Sequence, residues 1–237
     1  MGMENLRASI IVPVRNEEGN ILTFLDQLSE NSTLAFETLL IADNPSDSTF
    51  SVIPRDYDYR FELRMLISNY GQGPANAIRF GLDSVRSDIA VVVMADGSDD
   101  TRNVEDLVRL VERGCVVAAA SRYMPGGQQI GGPFIKRFMS RNASRFLRII
   151  GRVAIHDSTN SFKAYSVPFV KSVGIESTQG FEIGLEIVAK AHRSKMLMAE
   201  IPTIWIERQT GKSNFKLVKW LPHYMRWFNH AILGFSK

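Results

Sequence analysis

The chain has 237 residues, 45% of them hydrophobic and 22% charged, with a net charge of +3; this is an ordinary globular composition with apolar material for a full core. No apolar run approaches the roughly 18 residues of a membrane-crossing helix, and the four histidines (His156, His192, His223, His230) lack the spacing of a zinc site. From Arg208 to the end there are six Lys/Arg and no Asp/Glu, so the basic charge belongs to a local surface, and a nucleic-acid-binding body is excluded.

In chain order, MGMENLRASIIVPV has only a short apolar segment after an acidic start and reads as a first strand, not a signal peptide. Strand-like runs follow at 8–14, 37–43, 62–68, 89–96 and 115–121. Helical patterns lie between them at about 18–30, 73–85 and 103–112, with Leu22, Leu25 and Leu28 sharing a face. Apolar strands alternating with helices imply an α/β fold with a mostly parallel sheet covered on both faces. Cys115, in CVVAAA, reads as a small core residue in a reducing compartment. The second half predicts a Gly/Pro loop (125–133), a basic helix (136–152), a helix over 179–193 and a strand pair around 197–207. Residues 1–210 form one domain in this reading, and 211–237 a C-terminal amphipathic helix.

In that last segment, Lys216, Lys219, His223, Arg226 and His230 share one stripe at about 100° per residue. Trp220, Tyr224, Trp227, Phe228, Ala231 and Ile232 form the adjacent face. Such a helix suits an anionic membrane interface and equally suits docking on its own domain. Pro222 argues for one turn from 215 and a helix restarting at 222.

Ligands of parallel sheets bind beyond the carboxyl ends of the strands. Three of these strands end in polar residues: Arg15-Asn16-Glu17, Asp43-Asn44 and Asp96-Gly97-Ser98. The stretch VVVMADGSDD allows two readings, a solvated turn capping the next helix or a hard-cation site carrying a phosphate. Taken in order, IIVPVRNEEGNI, the Asp43 strand end, NYGQGPANAIRFGL and VVVMADGSDD resemble the family 2 glycosyltransferases of GT-A fold. SRYMPGG, the basic helix, DSTNSFKAY, QGFEIGLE and AEIPTIWIERQTGKSNF narrow the likeness to the dolichol-phosphate (polyprenyl-phosphate) mannose and glucose synthases. It covers residues 8 to about 215.

The resemblance implies an inverting transferase that moves a sugar from a nucleotide diphosphate sugar to a polyprenyl phosphate, with Mg²⁺ or Mn²⁺ as cofactor. The donor site it implies is Pro13, Arg15, Glu17, Asp43, Ala95, Asp96, Arg122 and Arg208. The metal falls to Asp96 and Ser98, and the catalytic roles to Asp96 and Arg208. Arg122, Arg137, Ser140, Arg141 and Ser213 fall to the acceptor phosphate, for which the planar guanidinium fork is suited. A solvated surface is the reading for Arg145, Arg148 and Arg152. The expected location is the cytoplasm or the cytoplasmic face of a membrane, held there by the C-terminal helix or a membrane protein partner unless the native chain continues into a spanning segment.

The chain departs from the family pattern at Met94, Ala42 and Asn214, which replace two acids and a lysine. A thioether is a poor ligand for a hard cation, so Asp96 carries that role with the diphosphate and Ser98, while Asp99 and Asp100 cap the following helix. Two alternatives stay open. One is a transferase onto a sugar or glycolipid acceptor, which needs a carboxylate base such as Glu182; Glu182 and Glu186, at i and i+4, equally suit a surface pair. The other is a catalytically weakened, membrane-associated binding partner. The segment His223-Tyr-Met-Arg226-Trp227 resembles the QxxRW signature of processive synthases only by coincidence. A dinucleotide oxidoreductase is disfavoured, because GQG at 71–73 lacks the GxGxxG spacing.

Overall fold

The computed structural model describes residues 6–54, 59–208 and 217–234. Six strands, β1 (Ala8–Pro13), β2 (Phe36–Ala42), β3 (Glu62–Ile67), β4 (Ile89–Val92), β5 (Val117–Ser121) and β8 (Met198–Pro202), join β7 (Lys163–Ser166) in one sheet. Its order is β3-β2-β1-β4-β7-β5-β8. All neighbours run parallel except β7, which is antiparallel to both β4 and β5.

Alternation along each strand builds two cores. Ile11, Leu39, Ile41, Ala90, Val92, Val117 and Ala119 face one side of the sheet. There they meet helices α3 (Pro74–Ser84), α6 (Val167–Val173), α7 (Glu182–Arg193) and α8 (Leu217–Leu233), along with Leu147 of α5 (Phe134–Ile149). Ile10, Val12, Leu40, Ala42, Val91, Ala118 and Ala120 face the other, under α1 (Ile21–Asn31) and α4 (Val104–Glu112). A continuous apolar strand is thus the sum of two half-patterns, each covered by its own helix layer. Two short elements, α2 (Ser48–Ser51) and a 3-10 turn at Thr101–Asn103, sit at the carboxyl edge.

Four expectations change. Helix α1 begins at Ile21, because the Glu17 carbonyl accepts from Asn20 and Ile21 N–H in a preceding turn; Glu17 therefore stands outside the helix. The strand pair expected at 197–207 does not pair with itself. β8 extends the main sheet beside β5, and β9 (Ile204–Ile206) makes a two-stranded parallel ladder with β6 (Gln128–Ile130). Pro222 lies inside α8. Proline removes one helical hydrogen bond, and the burial of Trp220, Trp227 and Ala231 on either side of it outweighs that loss. Glu182 and Glu186 are buried, not a surface pair.

The aromatic face of α8 lies against α7. Trp227 is 1% exposed, donates Nε1–H to Ser177 Oγ at 2.9 Å, and has Lys190 and Arg226 over its ring at 5.0 and 4.8 Å.

Candidate functional site

Because β2, β1 and β4 are adjacent and parallel, their carboxyl ends open on one edge. β4 is shorter than its apolar run; Val93 N–H still bonds Ile11, and then the chain turns away. Asp99 forces that turn. Its buried carboxylate accepts Met94 N–H at 3.1 Å, and burial, reinforced by the charge of Asp96, pushes its pKa up to about 7. Asp100 caps the following 3-10 turn through Arg102 N–H. Asp99 thus holds the loop and Asp100 the turn after it.

Asp96 is aimed into the site, flanked by buried Ala95. Its Oδ1 accepts Ser98 N–H at 3.1 Å and Ser98 Oγ–H at 2.5 Å. Its Oδ2 lies 2.5 Å from Arg208 Nη2, and Arg208 Nη1 is 3.5 Å from Glu17 Oε1. Arg208 arrives there because the chain after β8 is stapled to the Asp96 loop. Ile206 N–H bonds the Ser98 carbonyl and Thr203 Oγ1–H bonds Asn103 Oδ1 at 2.7 Å. Residues 112 positions apart are joined by that staple. Burial raises the Glu17 carboxyl, while the Asn20 amide at 2.8 Å and Arg208 pull the other way.

The other donor-side residues line the same edge. Pro13 ends β1, Arg15 is exposed beside it, and Asn16 turns with φ 54°. Buried Asp47, which the sequence reading passed over, accepts Asn16 N–H at both oxygens and caps α2 through Thr49 N–H. An Asp two residues ahead of Thr49 carried that capping signal in the sequence. Half-buried Asp43 accepts Gly73 N–H at 2.8 Å. Gly73 has φ 106°, and a Cβ there would stand 2.6 Å from the Gln179 carbonyl. The glycine in GQG is thus required by close packing that fixes Asp43.

A second group gathers at the end of β5. Arg122 donates Nε–H and Nη2–H to buried Asp157 at 2.7 and 3.0 Å. Asp157 also accepts Arg122, Thr159 and Asn160 N–H. Burial acts to raise the Asp157 carboxyl, but Arg122 outweighs it and holds the group below the ordinary range. Ser140 of α5 reaches Arg122 Nη2 at 3.3 Å, Tyr123 Oη at 2.9 Å and Thr159 Oγ1 at 2.6 Å. Arg141 stands over the Tyr123 ring at 5.9 Å, and Arg137 over Phe134 at 5.9 Å. Lys163, buried in β7 and bonded to the Asn160 carbonyl, has its pKa lowered to about 8 by burial. The structure brings Asp96, Ser98, Glu17 and Arg208 into one cluster and Arg122 and Ser140 into another. Ser213 and Asn214 lie outside the described residues.

The donor set can be tested against a divalent ion by its chemistry. Among the described residues no three His, Cys, Asp or Glu side chains converge on a cation. Asp96 with Ser98 fits an ion of the Mg²⁺ type, which takes one or two carboxylates and completes its shell with water and phosphate. Asp96 and Ser98 would hold it.

A mostly parallel sheet with acids and an arginine gathered at its carboxyl edge, interrupted by one antiparallel strand, is the GT-A architecture of glycosyltransferases. The model of the glycosyl transferase family 2 matches residues 9–174, and the chain belongs to that family. It is 24% identical to a dolichol-phosphate mannosyltransferase of Pyrococcus furiosus, over 98% of this chain and 69% of the relative. With a polyprenol monophosphomannose synthase of Mycolicibacterium smegmatis it shares 25% over 90% of this chain and 86% of the relative. Among solved structures, glucosyl-3-phosphoglycerate synthase of Mycobacterium tuberculosis, in complex with Mn²⁺, UDP and glucosyl-3-phosphoglycerate, superimposes with a TM-score of 0.71. The identity is 14%, covering 97% of this chain and 81% of that one. That likeness speaks for the fold.

Proposed function

We propose that the chain moves one sugar, with inversion, from a nucleotide diphosphate sugar to a polyprenyl phosphate at the cytoplasmic face of a membrane. The observation that carries this reading is the Arg208–Asp96–Glu17 cluster at the carboxyl edge, 2.5 Å and 3.5 Å between partners. Names of the curated relatives supply the acceptor class.

The acceptor phosphate is already ionised near neutral pH, with a second pKa of about 6, so its oxygen attacks without a strong base. That oxygen bonds to the anomeric carbon opposite the nucleotide, the bond from that carbon to the β-phosphate oxygen breaks, and the nucleoside diphosphate leaves with the electron pair. Positioning and charge stabilisation of the leaving group do the catalysis. Arg208 would turn from Asp96 toward the leaving diphosphate, Arg15, Glu17 and Asp43 would orient the nucleoside, and Ser140, Arg122, Arg137 and Arg141 would grip the acceptor phosphate. A Mg²⁺ or Mn²⁺ held at Asp96 and Ser98 would neutralise charge on the departing diphosphate.

The sugar-acceptor alternative needs a carboxylate base, and Glu182 is committed elsewhere. It is buried, with its oxygens on Gln179 N–H at 3.1 Å and Gly180 N–H at 2.7 Å. This favours the phosphate acceptor.

Calorimetric titration with GDP, UDP and dTDP, each with and without Mn²⁺, tests the reading. Micromolar binding of one nucleotide that needs the metal, weakened at least about tenfold in Asp96→Asn, is the expected result, tenfold being about 1.4 kcal/mol. Binding indifferent to both metal and Asp96 would reduce the loop to a cap. No binding at all would leave the weakened membrane partner as the better account.

A further inference from the structure

The pair of Arg122 and Asp157 anchors the acceptor-side cluster, so whatever places Asp157 also places the arginine. Arg122 commits Nε–H and Nη2–H to the Asp157 carboxylate, and Nη1 makes neither bond. A guanidinium gripped along one edge turns only as its carboxylate turns, and the aim of the remaining arm is therefore the aim of Asp157. The loop that bears Asp157 is suspended from the sheet at both ends. Asn160 Nδ2–H bonds the Ala120 carbonyl of β5 at 2.9 Å. At the other end, Glu200 of β8 accepts His156 N–H at 2.8 Å with one oxygen and meets His156 Nδ1 at 2.5 Å with the other. Ala119 is the register partner of Glu200, so the two ties leave neighbouring strands at levels one residue apart.

β8 is an edge strand of the sheet, where a glutamate has water within reach. The Glu200 side chain is instead 10% exposed, with both oxygens on the residue that precedes Asp157. An ionised carboxylate only accepts, so the His156 ring carries its hydrogen on Nδ1, and the backbone and ring of His156 are fixed together. The bonds from Thr159 and Asn160 N–H orient Asp157 within its loop; Glu200 orients the loop itself.

We propose that Glu200 is a positioning residue for the acceptor phosphate: through His156 it sets the depth and tilt of Asp157, and through Asp157 the aim of Arg122. The identity of that phosphate rests on the transferase reading. The same strand then has a second task. Beyond Glu200, Thr203 and Ile206 staple the chain to the Asp96 loop and bring in Arg208. One strand thus spaces the acceptor-side arginine from the donor-side arginine, and a displacement of about 1 Å between reacting groups is enough to slow a transfer.

Calorimetric titration of the full chain with farnesyl phosphate, with inorganic phosphate, and with GDP and UDP in the presence of Mn²⁺ tests this role. Glu200→Ala should weaken both phosphate ligands about tenfold and leave nucleotide affinity within about twofold, as expected of a separate site. Glu200→Gln keeps an oxygen for His156 N–H and offers its amide N–H to the ring in the other tautomer, so it should recover phosphate affinity to within about threefold. His156→Ala keeps the backbone bond and sheds the ring, and should lose about threefold. Glu200→Ala/His156→Ala should lose no more than Glu200→Ala alone, because both act through one line of contacts. Inorganic phosphate bound in a Glu200-dependent way by a chain that ignores farnesyl phosphate would uphold the positioning role and remove the polyprenyl phosphate acceptor. The proposal is overturned if Glu200→Ala weakens nucleotide and phosphate alike in step with a lower unfolding midpoint, or if Glu200→Gln is as weak as Glu200→Ala. Losses that add in the double variant, or a wild type that binds neither phosphate, would overturn it as well.

Discussion

Helices α5 and α8 are close in length and composition, both basic and rich in aromatic residues, yet the fold treats them oppositely. α8 turns its rings into the gap beside α7, where Ser177 supplies a partner for the indole N–H and Lys190 and Arg226 close over its faces. α5 turns inward a serine, a leucine and the polar side of Ser140, and leaves Phe134 and Phe138 exposed, while Phe146 meets Phe228 of α8 at 5.4 Å. Amphipathicity defines a face and not what covers it. The deciding factor is what the domain offers opposite: a waiting apolar wall for α8, and a buried Arg122–Asp157 pair for α5.

The largest effect should separate the two helices outright. Trp227→Ala removes a fully buried ring and should cost about 3–5 kcal/mol, read as a lower urea midpoint at unchanged slope. Phe138→Ala should stay within about 0.5 kcal/mol of the wild type. Equal losses would mean that the outward face of α5 is covered in solution.

Next comes the anchor of α5. Asp157→Asn leaves Arg122 buried beside a neutral amide and should cost about 3 kcal/mol. The sign with pH follows from the depressed Asp157 carboxyl. A group whose folded pKa lies below its unfolded value of about 3.9 stabilises above that value and stops doing so as pH falls through the folded pKa. The gap between wild type and variant should therefore hold from pH 8 to about 5 and close only below about pH 4. A gap that shrank with rising pH near neutrality would place the charge elsewhere.

How far the sequence reached can be judged from particular elements. The shared edge of β1, β2 and β4 was readable because each apolar run stops abruptly at a charged residue, and parallel pairing then forces those ends onto one edge, although β4 itself ends at Val92, short of its apolar run. β7 was not readable, because KAYS is only four residues long and opens with a lysine. Lys163 is tolerated there by the Asn160 carbonyl and the field of Asp157, neither of which leaves a periodic trace. The break between β8 and β9 hinges on Thr203, whose hydroxyl bonds Asn103 a hundred residues earlier. Arg208 over Asp96 came from the family likeness alone, since no spacing rule links positions so far apart.

The smallest effect concerns the seat of α8. Glu186 and Glu182 share one helix, and spacing gives no clue whether they face substrate or backbone. Glu186 is buried and accepts Glu176 N–H at 2.7 Å, Ser177 N–H at 2.8 Å and Lys190 Nζ at 2.7 Å. It therefore fixes the loop that presents Ser177 to Trp227. Glu186→Gln keeps the shape but offers one acceptor oxygen in place of two and leaves Lys190 without its closest anion. The expected loss is about 1–3 kcal/mol, with the near-ultraviolet signal of the tryptophans altered and nucleotide affinity unchanged. If this substitution spared stability and weakened nucleotide binding instead, the α7 carboxylates would belong to the site, and the contrast between a covered α8 and an open α5 would lose its support.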